Sequence, residues 1–520
     1  MKRSAVSQLF PQGGVRTIKP FLKSTLKECA TGPQTHPMKK FLLFSLITFP
    51  LVLLAGCGGG GSSNNVPPPV GNFSNSSLNG HYAYQMNGFD LFNGTAFSEG
   101  GVFTADGNGN ITSGTDDFVE TTGFVSTPIT GTYTVGNDGT AVATLNFSGG
   151  GSLVLGMTLV SSSKAYIIEG DQFGNAAGIA EKQDTNVLAS TPAGTFTFRA
   201  HSASSSQGST SRAGIMTVSS GAVTGNEDVN DGGAASSSAI TGVFNAPDAS
   251  GRGTASLQDS GGTITLQYYV VNSTNIRFLQ TDLGVIGSGR GETQSNVAYS
   301  DASLSGSYAF GLQGDTLIST DGVHTVGQLT ADGNGNITTG AFDSVQDGVT
   351  STNLSLTGTY TVDSTGRGVV TLTSSNGTVQ EIFWLVSPSR AFIVSDDPAA
   401  IADGSADLQI GSSFTNASLT GQFAFFNHGF DTTDLVDRVG TFIPDGAGNV
   451  TLTEFLNRTG VVTPTPVTLP GTYTVGTNGR ATVAVTSLSS NLVLYMISTN
   501  DAYMLQNDAN VEIDGAMSKQ

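Results

Sequence analysis

The sequence predicts an all-β protein built as four tandem antiparallel β-domains of about eight strands each. Three observations carry this: one unit repeated four times, a period of two within the unit, and turn residues at short, regular intervals. SLNGHYAY from Ser77 returns as PAGTFTF from Pro192, SLSGSYAF from Ser303 and SLTGQFAF from Ser418. The shared glycines Gly80, Gly194, Gly306 and Gly421 stand 114, 112 and 115 residues apart. TADGNGNIT at 104–112 recurs unchanged at 330–338 and as IPDGAGNVT at 443–451. TGTYTV at 130–135 recurs at 357–362, as PGTYTV at 470–475 and as TGVFNA at 241–246. KAYIIEGD, NIRFLQTD, RAFIVSDD and DAYMLQND close the units from 164, 275, 390 and 501. A unit of about 113 residues is domain-sized rather than solenoid-sized, so each should hold its own core.

Within the first unit, Tyr82, Tyr84 and Met86 alternate with His81, Ala83 and Gln85, and Leu153, Leu155, Met157 and Leu159 share one face. This is the pattern of half-buried antiparallel strands. DGNGN at 106–110, GNDG at 136–139, SGGGS at 148–152 and SSSK at 161–164 supply the positive φ of tight hairpins. Strands of mostly 5–8 residues in hairpin succession favour an up-and-down, lipocalin-like barrel, with a β-sandwich as the alternative and an eight-bladed propeller behind it. The domains are placed at 77–185, 190–296 (the most diverged), 303–410 and 418–520, each expected to fold by itself like a bead on a string. A single membrane-spanning barrel is disfavoured by the short strands.

Before the repeats, Lys39 and Lys40 precede an apolar run from Phe41 to Leu54, and Leu54-Ala55-Gly56 leads into Cys57. That is the layout of a secretory signal. As a helix the run spans about 21 Å, short of a bilayer core of about 30 Å, and Pro50 interrupts it. The Leu-Ala-Gly-Cys ending resembles the lipobox of bacterial lipoproteins. The resemblance implies cleavage before Cys57, acylation of its sulfur and residence in the cell envelope; Gly58 in second place implies sorting to the outer membrane. Residues 1–37 then read as an upstream extension, 38–56 as signal peptide, and 57–76, with GGGGSSNN and three prolines, as a flexible tether. The repeat region, through GTYTV and DGNGNIT, resembles tandem-repeat β-rich lipoproteins of bacterial envelopes, a likeness that implies location but no activity.

Residues 1–56 hold 8 of the 21 basic and one of the 40 acidic residues, leaving 13 basic and 39 acidic groups, a net charge near −26. Such a surface repels phosphate backbones, so nucleic acid is not an expected partner. Cys29 falls in the removed segment and Cys57 carries lipid, so thiol catalysis, cysteine–zinc sites and disulfides are excluded.

Three sets of residues are candidate sites. Asp106, Asn108 and Asn110, and likewise Asp332, Asn334 and Asn336, open a calcium-loop spacing that reaches Asp117 and Asp343 at position twelve. Position six is Ile111 or Ile337 where that loop needs glycine, so plain turn chemistry competes, and no other cofactor is expected. Thr158, Tyr269, Trp384 and Tyr495 form a column facing away from Met157, Tyr268, Phe383 and Leu494. Tyr269, Trp384 and Tyr495 could stack on a glycan ligand or join neighbouring units. The opening aromatics, Tyr82, Tyr84, Phe196, Phe198, Tyr308, Phe310, Phe423 and Phe425, are core residues, although a barrel lumen could carry an apolar or lipid-like ligand. His81, His201, His324 and His428 occupy unequal places and lack ligand-spaced partners, and no HExxH, GxSxG or P-loop is present. The chain therefore reads as a non-catalytic envelope module for binding, adhesion or spacing, with a lipid carrier and an envelope hydrolase as alternatives.

Overall fold

The computed structural model describes residues 71–520, apart from 205–207, 296–297, 317–321, 412, 464 and 487–489. The signal segment and Cys57 lie outside the described residues. Each repeat closes on itself as an eight-stranded up-and-down barrel, every strand pairing with its sequence neighbours and the first with the last. In barrel 1, strand 1 (Asn79–Asp90) pairs with strand 2 (Thr95–Asp106) on one side and strand 8 (Gly174–Lys182) on the other. Barrel 4 inserts a two-residue strand, Val461–Val462, and closes through its second strand (Asp434–Pro444) and third (Asn449–Arg458). The sandwich and propeller alternatives fall, because each unit is one sheet rather than two sheets or two blades.

Strands run from 6 to 14 residues apart from that insert, longer than the expected 5–8; the longest is Val349–Val362. Their outer halves are Thr-, Ser- and Gly-rich and carry no apolar alternation, which hid them in the sequence. Strand length therefore does not argue against membrane spanning. The side-chain pattern does: Leu145, Leu155 and Ile167 fill the interior of barrel 1, while Thr130, Thr132 and Thr134 face solvent, the inverse of a membrane barrel.

The repeated motifs are structural devices. A single 3-10 turn, Asn75–Ser77, sits before strand 1 and drops Leu78 into the core. Tyr133 of TGTYTV donates its hydroxyl to Leu78 O at 2.6 Å and Asn75 O at 3.1 Å, pinning that plug. Tyr360 and Tyr473 repeat both bonds to Asp301 and Leu304, and to Asn416 and Leu419. Barrel 2, without the plug, has Phe244 at this position.

The four barrels are not beads. Besides four internal cores, four apolar clusters span the seams between barrels 1 and 2 (Ala83, Val102, Tyr269, Leu279), 2 and 3 (Ala213, Trp384, Val394), 3 and 4 (Ala309, Val326, Tyr495, Leu505), and 4 and 1 (Tyr166, Ile168, Val439, Phe455). The barrels therefore form a closed ring in which strands 1–3 of each meet strands 5–8 of the next. Head-to-tail contacts of this kind close only when the rotation per contact divides a full turn. Tyr360→Phe should lower stability by about 1–2 kcal/mol, measured by denaturant unfolding, because two buried carbonyls lose their donor.

Candidate functional site

The seams explain most of the chemistry-bearing residues. Asp117 on strand 3 of barrel 1 is fully buried and accepts Arg252 Nε at 2.7 Å, Arg252 Nη2 at 2.6 Å and the Tyr269 hydroxyl at 2.8 Å, all from barrel 2. Asp228 does the same with Arg367 and the Trp384 indole N–H of barrel 3, and Asp343 with Arg480 and Tyr495 of barrel 4. In each triad the Arg and the aromatic are cross-strand partners on strands 5 and 6. The corresponding residues of the closing seam are Phe455, Thr140 and Thr158. That seam is apolar, and the Thr158 hydroxyl is left buried without a partner.

Tyr269, Trp384 and Tyr495 are therefore corrected as stacking candidates: at most 2% exposed, they offer no platform to a sugar. The DGNGN hairpins, by contrast, are exposed, and the structure uses them as turns. Asp106 and Asp332 receive backbone N–H donors from both downstream Asn residues and a side-chain amide from the second, so amide hydrogens surround the carboxylate where a cation's ligands would converge. Asn108 and Asn334 likewise donate back to the hairpin. Asp117 and Asp343 lie in seams, and no group of three or more metal-ligating side chains occurs among the described residues.

A glutamine after strand 8 forms a second seam device. Gln183 donates to Ser250 O and Val270 O in barrel 2; Gln294 to Thr365 O and Leu385 O; Gln409 to Asn478 O and Met496 O. Gln520 makes the equivalent pair with Asp138 O and Leu159 O of barrel 1. Each sits over a hairpin glycine with φ near +85°, Gly139, Gly251, Gly366 or Gly479, where a side chain would collide with the amide.

The innermost strands are buried on both faces. There Arg199, Arg277, Arg290 and Arg390 meet Glu181, Glu292, Asp403 and Asp407, with Phe392 beneath three of the guanidiniums. Burial, with Arg390 and Arg277 close by, pulls Arg290 well below the usual guanidinium range. The sequence reading of the histidines needs correction as well. His201 and His428 share one position, seven residues after the unit glycine, and each meets a buried carboxylate, Asp403 and Asp437. Burial disfavours the His201 charge, but Asp315 and Asp403 outweigh it and push the imidazole up to about 10.

The interiors are filled. A cavity of about 30 Å³, room for one water, lies in barrel 2 among Phe198, Met216 and Phe278. Polar groups do enter three interiors at matching positions. Barrel 2 places Arg212 beside Glu227 at 3.1 Å, and barrel 4 places Arg438 beside Glu454 at 3.8 Å. Barrel 1 instead brings together Glu99, Asp116 and Glu169, with Tyr84 donating to Asp116. Burial pushes Asp116 up to about 6 and, helped by Asp171, Glu169 up to about 9.

The two ends of the ring differ. Gly71 and Phe73 enter barrel 1 against Asn137, at the end formed by the even-numbered hairpins. Of the twelve exposed large apolar residues among those described, ten lie at or beside the odd-numbered hairpins of the opposite end, including Phe92, Phe173, Leu283 and Val461.

No protein-family model matches the chain, and no curated protein matches it. One solved structure it is similar to, described as "The Structure of Intact Ap-TbpB (N and C lobes)", shares 9% identity over 68% of this chain and 83% of that one, with a TM-score of 0.16. A likeness that slight carries no argument.

Two outcomes follow from the buried charges. Asp343→Ala strands the Arg480 guanidinium and should destabilise by about 3–5 kcal/mol, whereas Asp343→Leu with Arg480→Met should recover most of the loss in the same unfolding assay. The raised carboxyls are neutral in the fold and ionise in the unfolded chain, and His201 is charged in the fold up to about pH 10 but neutral in the unfolded chain above about 6.5. Both contributions fade as pH rises, so the thermal midpoint measured by calorimetry should increase from about pH 9 down to about pH 5. Below about pH 4 it should fall again, because Asp315 and Asp403, held under the usual carboxylate range despite burial by His201 and Arg199, become protonated.

Proposed function

We propose that this protein is a non-catalytic binding module of a bacterial cell envelope, held by lipid on Cys57 and presenting the odd-hairpin end of the barrel ring to a partner. The observation that carries the reading is the gathering of ten exposed apolar residues at the end remote from chain entry. Hairpin tips on a rigid scaffold are also where proteins commonly place recognition. The seam carboxylates Asp117, Asp228 and Asp343 with their arginines, and His201 and His428 with theirs, have structural partners, which supports a binding role over hydrolysis. The Leu-Ala-Gly-Cys ending and the tether after it support the anchor and the envelope location.

Photo-cross-linking in cells tests the reading. A photoreactive residue at position 92, 173 or 283 should give a discrete adduct, and one at position 332, at the other end, should give none; equal labelling at both ends, or none at the apolar tips, would refute it. Mass spectrometry of the membrane-extracted protein should show a diacylglyceryl group on an N-terminal Cys57 and no peptide from residues 1–56.

A further inference from the structure

In every barrel strand 7 ends two residues before an aspartate: Glu169 and Asp171, Gln280 and Asp282, Ser395 and Asp397, Gln506 and Asp508. Gln280 donates its side-chain amide to Asp282 at 2.9 Å, and Gln506 donates to Asp508 at 3.1 Å. In barrel 3 the Asp397 N–H donates to the Ser395 hydroxyl at 3.1 Å. The aspartate also accepts a backbone N–H from strand 6, from Thr265 in barrel 2, Asn491 in barrel 4 and Val154 in barrel 1, each at 3.1 Å. Asp171 accepts the Phe173 N–H at 3.0 Å as well, so it braces the hairpin at 170–173. Barrel 1 alone places a carboxyl where barrels 2 and 4 place an amide donor. A carboxylate has no hydrogen to give, so Glu169 can make the bond of its glutamine counterparts only as the protonated acid.

The surroundings favour that proton. Glu169 is 6% exposed, its Oε2 is buried without a hydrogen-bond partner, and any side chain on Gly174 would collide with it. The charged and titratable groups around it are Asp171, Asp90 at the end of strand 1, Glu99 and Asp116 inside the barrel, and Asp437 across the closing seam. Tyr84 donates to Asp116 and His428 pairs with Asp437, but among the described residues no Lys or Arg pairs with any of these carboxyls. Arg458, near the same rim, is held by Asp431 and Asp434 at 2.7 and 3.3 Å. A charge on Glu169 would therefore be desolvated and set beside other acids.

The hairpin is also the odd-end hold of the closing seam. Asn457 of barrel 4 donates Nδ2 to Glu169 O at 2.9 Å, Asp171 O at 3.2 Å and Gly174 O at 2.8 Å, and the Gly460 N–H donates to Asn175 Oδ1 at 3.0 Å. We propose that Glu169 is a proton-operated latch: protonated, it holds the 170–173 hairpin and with it the odd end of the closing seam; ionised, it releases both. Water lies beyond Gln172 and Phe173, which are exposed, so an ionised Glu169 is solvated only by displacing the hairpin that Asn457 grips. Burial, then Asp171, pushes the closed carboxyl up to about 9 from its ordinary 4.5, so the latch is shut at neutral pH and weakens as pH rises.

Residue-resolved hydrogen exchange on the full mature protein in detergent, corrected for the intrinsic pH dependence of exchange, tests the latch. Opening releases the Glu169 proton, so between about pH 6 and about pH 8 protection of the Val154 amide should fall about tenfold per pH unit, and that of the Gly460 amide with it. The Thr265 and Asn491 amides, whose aspartates are held by glutamine, should change less than twofold, a comparison that needs no variant. Glu169→Gln, which copies barrels 2 and 4, should make the Val154 and Gly460 profiles as flat as that of Thr265. A flat Val154 profile in the parent, equal slopes at Thr265 and Asn491, or a slope that survives Glu169→Gln would overturn the proposal. A steep Val154 profile beside a flat Gly460 one would overturn the hold on the seam.

Discussion

The structure depends on a carboxylate that each barrel inserts into the next. Asp117, Asp228 and Asp343 are buried in apolar seams, where an unpaired carboxylate would be prohibitive, and each is held by a two-pronged arginine and an aromatic donor from the neighbour. Because donor and acceptor lie on different barrels, the triad acts as a geometric key: a barrel displaced by a few ångströms would strand both charges. The fourth seam is built from Phe455 and two threonines and achieves the same approach with apolar packing alone. A ring of identical contacts needs no such exception. Here the distinct fourth seam also fixes which barrels meet there, a form of specificity by unlike pairing.

The triads also arrange the charge. The chain has few basic residues beyond the signal segment, and nine of its ten arginines there are held in three seams, the shared interior and two barrel lumens, the tenth, Arg458, pairing with Asp431 and Asp434. Little positive charge is left for the outer surface, so the exterior is more uniformly acidic than the composition suggests. A surface of that sign repels other acidic macromolecules. Barrel 1, whose interior carries acid where barrels 2 and 4 carry ion pairs, differs most from its neighbours in this respect.

Much of the candidate site was legible in residue spacing but not in role. Asp117 and Asp343 stood out as twelfth positions of a metal loop and Tyr269, Trp384 and Tyr495 as a column, yet nothing local shows that Asp343 and Tyr495 meet across 152 residues. The signal that could have joined them is internal: wherever strand 3 has Asp, the next unit has Arg opening strand 5, and where it has Phe455, the unit it meets has Thr140. The recurring glutamine after strand 8 was visible in the same way and went unread, since a lone polar residue beyond a strand looks like any linker residue.

The sequence by itself determined the number of domains, their all-β character, their hairpin succession and the turns that carry positive φ. These are set by periodicity, by glycine sterics and by repeated short strings, all local properties. Tertiary structure alone decided that the sheets close into barrels, that the barrels close into a ring, and which end exposes its apolar tips. Those outcomes rest on side chains more than a hundred residues apart finding one another, and pairing of that kind leaves no mark on any short stretch of chain.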